Sequence, residues 1–296
     1  MTAALALCVQ PSDSLDARGL CDADGAAIAA IATRSLLLEL ETWPKPGLVS
    51  HIDSGSHDDM DAGTFRTSAA AIQPYFQRLA EAGAQGGEMV RLRAIGMDAE
   101  AAMLVATCGV NTHRGAIFGL GLLCAAAGAN KAGLTDPAFS LGAAVSSLWG
   151  VDILDAPLLP FSHGSRVRRR YGAGGARMEA ARGFPSVYEI GLPALRRSAL
   201  AAPGNAEAHR VEACFALIAV LEDTNLLHRG GQAGLQFARR ASKRFLDDGG
   251  VGRPDWCDRA SAVHESFIAR RLSPGGAADL LALSLFVDAY EKWSLR

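Results

Sequence analysis

The residues best suited to chemistry gather at a few polar junctions. The first is Pro44-Lys45-Pro46-Gly47-Leu48-Val49-Ser50, followed by Ser54-Gly55-Ser56-His57-Asp58-Asp59-Met60. It offers a cation (Lys45), a hydroxyl (Ser56), an imidazole (His57) and two adjacent carboxylates, Asp58 and Asp59. Paired aspartates are hard oxygen ligands of the kind Mg²⁺ takes when phosphates share its shell. The plainer reading is a turn with an aspartate capping the helix that follows. The second junction is Thr107-Cys108-Gly109-Val110-Asn111-Thr112-His113-Arg114-Gly115-Ala116-Ile117-Phe118. Here Asn111, Thr112, His113 and Arg114 open a very apolar helix, with Thr112 as its expected cap. A helix N-terminus presents free N–H groups and partial positive charge, which suits an anion. His113 and Arg114 add donors at the same end. Against this stands an ordinary helix start with two solvated side chains.

Three weaker clusters follow. Arg170-Tyr171-Gly172 to Arg177-Met178-Glu179, ending in Gly183-Phe184-Pro185, has the composition of a phosphate cradle. It has neither Walker A nor dinucleotide-binding spacing. Glu222-Asp223-Thr224-Asn225 precedes His228-Arg229-Gly230-Gly231. In a helix, Glu222 and Asn225 would share a face and Asp223 would point about 100° away. Ser273-Pro274 reads as an N-cap with a proline at the first helical position, and a ligand role for Ser273 is the alternative. The run Arg166-Val167-Arg168-Arg169-Arg170 reads first as solvated surface. His163, His209 and His264 read as structural or surface residues. Taken together, the carboxylates Asp58, Asp59, Glu179 and Asp223 and the cations Lys45, His113, Arg114 and Arg229 suggest Mg²⁺ and a polyphosphate.

The elements that must position these groups are helices. Of 296 residues, 49% are hydrophobic, which is ample for a large core. Charged residues are 20%, a normal globular share, so disorder is not expected. A net charge of −2 disfavours nucleic acid as a partner. Asp22 or Asp24 can cap a helix running to about Glu41, stopped by Trp43-Pro44-Lys45-Pro46-Gly47. Further helices are expected at about 61–83, kinked at Pro74, then at 88–108 and from Thr112 to about 127. A weaker helix and loop follow at 130–160, and a long connection at 161–184. The remaining helices are expected at about 185–200, 205–227, 230–248 and 254–271, with the last from Ser273. No segment alternates with period two between hairpin turns. The expected fold class is all-α: a single multi-helix orthogonal bundle, residues 23–296, with its site at helix termini and connecting loops, after a loose leader at 1–22. Six cysteines without a CxxC pair imply no disulfide framework and no zinc site, as in a reducing cytoplasm. The N-terminus lacks the basic and apolar regions of a signal peptide. The longest apolar run, Ala116–Ala129, falls short of the roughly 20 residues a bilayer needs. A membrane is therefore not an expected partner.

Several of these stretches, in order, resemble the triphosphoribosyl-dephospho-CoA synthase family. They are Lys45-Pro46-Gly47-Leu48-Val49, Gly55-Ser56-His57-Asp58-Asp59-Met60, Glu100-Ala101-Ala102-Met103, Gly109–Phe118, Asp223-Thr224-Asn225 and Ser273–Ala282. The resemblance spans roughly residues 25–290. Cys108 replaces a glycine common before the Gly-Val-Asn segment. Arg114 stands where lysine is frequent, keeping the charge but changing donor geometry. Met178 stands where glycine is common. The resemblance implies a transferase: ATP and 3′-dephospho-CoA give 2′-(5″-triphosphoribosyl)-3′-dephospho-CoA and adenine. The product is the precursor of the prosthetic group on the acyl-carrier subunit of citrate lyase or malonate decarboxylase, and passes to a holo-acyl-carrier-protein synthase. Trp43-Pro44-Lys45, Ser50-His51 and Arg114 are more similar to the malonate decarboxylase branch. A second copy of the chain is a candidate partner.

On that reading the ribose–adenine bond breaks through an oxocarbenium-like transition state. The triphosphate would be held by Mg²⁺ on Asp58 and Asp59 and by Lys45, His113 and Arg114. Ser56, Asn111, Thr112, Arg177, Arg229 and Ser273 complete the expected substrate contacts. Asp223 or Glu179 is the expected base or cation stabiliser, and His57 the expected proton donor. Two rivals remain at this point. One is an HD-type metal-dependent phosphohydrolase built on His57-Asp58 and Asp223. The other is a helical nucleotide-binding module without turnover.

Overall fold

The computed structural model describes residues 20–155 and 174–295. The described residues form an all-α bundle without strands. The helices are α1 Asp22–Leu40, α2 Ala62–Ala84, α3 Met89–Ala106, α4 Arg114–Lys131, α5 Leu141–Asp155 and α6 Gly175–Ala181, then α7 Leu192–Ala201, α8 Ala206–Val220, α9 Thr224–Asp247, α10 Trp256–Ile268 and α11 Gly275–Ser294. A π-helical turn, Ser186–Gly191, leads into α7, and a 3₁₀ turn, Gly250–Gly252, follows α9. No described helix is long and apolar enough to cross a membrane.

Helix α4 is the axle of the bundle. It is apolar on all sides, as a helix enclosed by others must be, and is buried from Leu120 to Ala129. It packs against α1, α2, α3, α5 and α11. Its approach to α2 is as close as two helix backbones allow. A Cβ on Gly83 would stand 1.9 Å from Ala125 O, and one on Gly128 would stand 1.9 Å from Ala80 O. A large core joins α1–α5 to α7–α11, and a smaller cluster around Phe215 and Phe245 packs α8 on α9.

Most helix positions match the sequence reading, but several ends do not. Cys21, not Asp22 or Asp24, caps α1: its Sγ accepts from Asp24 N. Asp61 caps α2 in a reciprocal box with Thr64, so neither Asp58 nor Asp59 does. Pro74 lies inside α2 without dividing it. Helix α4 starts one residue after His113, not at Thr112, and runs on to Lys131. Asn111 Oδ1 accepts from Arg114 N, 3.2 Å away. Glu222 lies in a break between α8 and α9, so it shares no helix face with Asn225. Pro274 is the N-cap of α11, which frees the Ser273 hydroxyl. The helix expected at 205–227 is broken at 221–223, and the junction expected between 227 and 230 falls at Gly231. Helix α9 continues through a local break at Gly231, whose φ of 59° and ψ of −160° suit only glycine. Residues 166–172 and most of the 1–22 leader lie outside the described residues.

The α2–α4 crossing gives a stability prediction. Gly128→Val forces the two backbones apart, because the obstructing atom is a carbonyl rather than a movable side chain. Unfolding free energy should fall by about 3 kcal/mol, read from urea midpoints. A loss under about 0.5 kcal/mol would refute the packing description.

Candidate active site

The centre begins with a lysine that has lost its water. Helix α1 ends with Glu39 facing inward, 5% exposed, and the Thr42–Gly47 turn folds Lys45 back beneath it. Lys45 is fully buried, and its Nζ pairs with Glu39 Oε1. Gly47, at φ 65°, presses this turn against the segment between α10 and α11. A Cβ there would lie 2.0 Å from Leu272 O. His264 clamps the turn from α10, with Nδ1 2.5 Å from Lys45 O and Nε2 3.2 Å from Asp53 Oδ1.

Three helix N-termini converge on this pair. Asp223, 1% exposed, ties two of them together. Its Oδ1 accepts from Asn225 N (2.8 Å) and Leu226 N (3.2 Å) at the start of α9. Its Oδ2 accepts from Ala277 N (3.0 Å) at the start of α11. Burial pushes the Asp223 carboxyl up, and the backbone donors, Gly276 N included, partly offset this. Asp279, on the second turn of α11, occupies the third N-terminus, that of α4. A Cβ on Gly115 would lie 2.0 Å from Asp279 Oδ2, so only glycine admits the carboxyl. Burial, then the nearby Glu39 and Asp223, hold Asp279 well above the usual carboxylate range, against one backbone donor, Ala116 N. Unlike Asp223, Asp279 keeps partial exposure. Glu39 is also raised by burial, with Lys45 opposing.

His113 closes the centre. It is 4% exposed, with its ring edge-on to Phe65 at 4.9 Å. Its Nδ1 is 2.6 Å from Ser68 Oγ, which also accepts from Thr112 Oγ1 at 2.7 Å. Burial and the Lys45 charge push His113 down to about 3, so it is neutral at physiological pH. The centre therefore sets one lysine and a neutral imidazole among three carboxyls.

A more open rim surrounds His57. Its Nε2 is 2.9 Å from Ser273 Oγ and its Nδ1 is 3.4 Å from Asp59 Oδ1. Arg229 NH2 lies 3.2 Å from Nδ1, and its NH1 donates to Ser56 O and Arg271 O. Burial first, then Arg229, lower His57, so it is neutral as well. Ser56 Oγ donates to Leu272 O at 2.7 Å. Asp58 Oδ2 pairs with Arg271 at 3.2 Å, and Asp58 and Asp59 are both exposed. Arg114 Nε pairs with Glu100 Oε2 at 2.9 Å, beside an exposed Asn111. Among the described residues, no three or more His, Cys, Asp or Glu side chains form a cage for a metal.

The structure thus brings Lys45, His113, Thr112 and Asp223 into one buried centre, and Ser56, His57, Asp58, Asp59, Arg229 and Ser273 into an adjoining rim. Two expected residues have local partners elsewhere. Arg177 donates to Ile153 O and Leu154 O, at the end of α5. Glu179 Oε1 accepts from Ser186 N at 2.7 Å, and its raised carboxyl owes most to burial. Sequence reasoning passed over Glu39, Asp279 and Ser68. Glu39 could have been found as an acid at a position flanked by Leu36 and Leu40, which face the core.

Perturbed ionisable groups cluster at catalytic centres more than elsewhere, and here they gather in an all-helical chain where helix ends converge. A family model described as ATP:dephospho-CoA triphosphoribosyl transferase matches residues 25–296, and the chain belongs to this family of transferases. Relatives named "Probable 2-(5''-triphosphoribosyl)-3'-dephosphocoenzyme-A synthase" are similar over most of their length. The one from Pseudomonas fluorescens is 43% identical over 90% of this chain and 92% of its own. Those from Stutzerimonas stutzeri (42%; 88% and 90%) and Azotobacter vinelandii (43%; 89% and 91%) agree. No solved structure matches.

Two predictions follow from the buried charges. Lys45→Met strands Glu39 and should cost about 3–5 kcal/mol. Adding Glu39→Gln should recover much of that loss. Additive losses in a denaturation cycle would show that the two are not coupled. For Asp279, the raised native value means that the folded chain binds more protons than the unfolded one above about pH 4. Stability contributed by this group therefore falls as pH rises through that window. Asp279→Asn should raise the urea midpoint at pH 8 and flatten its pH dependence. An unchanged profile would count against a buried carboxyl there.

Proposed function

We propose that the protein transfers the triphosphoribosyl group of ATP to the 2′-hydroxyl of 3′-dephospho-CoA, releasing adenine. Family membership supports the reaction, and the cluster of Lys45, Glu39, Asp223 and Asp279 at three helix ends supports the site. The bond that breaks joins ribose C1 to adenine N9, and positive charge develops on the sugar. Carboxyls beside that carbon would stabilise it. Asp279, whose carboxyl is raised by burial and the neighbouring acids, would donate its proton to a ring nitrogen of the departing adenine. Neutral His57 accepts the proton of the attacking hydroxyl. This reverses the donor role first expected of His57, because burial and Arg229 keep it uncharged. Asp223, whose oxygens are taken by backbone N–H groups, fixes helix positions rather than moving protons.

Arg229 and Arg271, both exposed, and Arg114, partly exposed, are the cations from which the triphosphate would draw its donors. Lys45 is fully buried against Glu39, so its charge would act through the centre rather than by reaching solvent. Mg²⁺ fits Asp58 and Asp59, exposed hard-oxygen ligands that use Oδ2 and Oδ1 in their pairs with Arg271 and His57. Bound there, it would neutralise phosphate charge. The HD-type reading needs His57, Asp58 and Asp223 around a metal. Asp223 is instead tied to two helix N-termini.

We assign the product to malonate decarboxylase rather than citrate lyase, on Trp43-Pro44-Lys45, Ser50-His51 and Arg114, with delivery through a holo-acyl-carrier-protein synthase in the cytoplasm. Chromatography of the enzyme with ATP and dephospho-CoA tests the reaction. Free adenine should appear only when both are present. Phosphate release with adenine still on its ribose would indicate a phosphohydrolase instead. In the same assay Asp279→Asn should lower kcat by about 100-fold or more with the fold retained, and wild-type turnover would sink the role given to Asp279.

A further inference from the structure

Helix α3 carries two apolar stripes on opposite faces. One, made of Met89, Leu92, Ile95, Ala99 and Met103, is buried against the bundle. The other, Val90, Ala94, Met97, Ala101 and Val105, faces water. Val90 is 69% exposed, Met97 64% and Val105 82%. Spacings of four and three residues make this second stripe the seam of a helix pair. We propose that α3 is the interface of a homodimer, in which two copies pack this stripe antiparallel about a twofold axis between Ile95 and Gly96.

Size and charge choose the occupant. In that register Val90 meets the partner's Ala101, and Ala94 meets the partner's Met97, so each of these two large side chains sits on a small one, while Val105 lies beyond the paired stretch. The flanking positions carry Arg91 and Arg93 toward the helix N-terminus, and Asp98 and Glu100 toward its C-terminus. An antiparallel pair brings Arg91 beside the partner's Asp98 on one flank, and Arg93 beside the partner's Glu100 on the other. The twofold axis repeats each contact, giving four opposite-charge pairs and no like-charge pair. A parallel pair, in which e positions face g positions, would set only Arg93 beside the partner's Asp98, giving two opposite-charge pairs instead of four. The seam is self-complementary, as an isologous interface requires. The paired stretch, Val90 to Ala101 on each helix, runs about 16 Å. Asp98 already pairs with Arg78 at 3.2 Å and Glu100 with Arg114 at 2.9 Å, so each acid takes a second cation across the seam.

Analytical ultracentrifugation of the full chain tests the assignment. The wild type should sediment at twice the 30.9 kDa chain mass at micromolar concentration. Met97→Glu should raise the dimer dissociation constant by about 30-fold or more, with helicity unchanged by circular dichroism. Arg91→Glu and Asp98→Arg should each weaken self-association, since each sets like charges across the seam. Mixing those two variants should restore a dimer, as should combining both changes in one chain, because either arrangement re-forms opposite pairs. That rescue separates the interface from a folding defect. A wild-type monomer, a dimer indifferent to Met97→Glu, or charge variants that fail to complement would each overturn the proposal.

Discussion

The Lys45 ammonium sits where water cannot reach it, and much of the site follows from that. A buried cation is tolerated only when paired and held by good geometry. Glu39 provides the partner, which requires α1 to end with a carboxylate turned inward. The Thr42–Gly47 turn must then come back under α1, and His264 and Leu272 hold it there. A lone ion pair would need nothing more. The presence of Asp223 and Asp279 nearby changes the balance, leaving more acid than base. Their protons, and whatever positive charge a substrate develops, are accommodated by the same shortage of cations.

The helix dipoles set the other half of the electrostatics. Three N-termini pointing into one region would by themselves favour an anion. Here the starts of α9 and α11 are occupied by Asp223, and that of α4 by Asp279. The phosphate-binding helix terminus expected at Asn111–Arg114 is therefore partly filled from within, by a carboxyl that Gly115 admits. Exposed cations on the rim, not the buried helix ends, are left for a polyphosphate.

The all-helical fold and most helix positions could be read from apolar spacing, as α2, α3 and α10 show. Caps were harder, because the choice among neighbouring polar residues is made by backbone angles. Cys21 displaced two aspartates, and Pro274 displaced Ser273. The polar junctions contribute Lys45, His113 and Asp223 to the buried cluster of ionisable groups. They did not point to Glu39 or Asp279. Glu39 lies among leucines and glutamates at the end of an ordinary-looking helix. Asp279 lay inside a recognised motif, but its reach into the start of α4 depends on a glycine distant in sequence. Arg177 and Glu179, chemically attractive in sequence, bond the backbone at the end of α5 and near the π-helical turn. A one-dimensional pattern shows that a group is polar and near a turn, but not which backbone groups compete for it.

The glycine at 231 divides α9 into unequal parts. Thr224–Gly230 carries Asn225 and Arg229, and through Asp223 it is fastened to the beginning of α11. The longer part packs on α8 through Phe245 and carries no rim residue. The short part is thus tied to α11 as well as to the helix it opens, and one carboxylate, Asp223, joins the helix start that carries Arg229 to the one that carries Asp279.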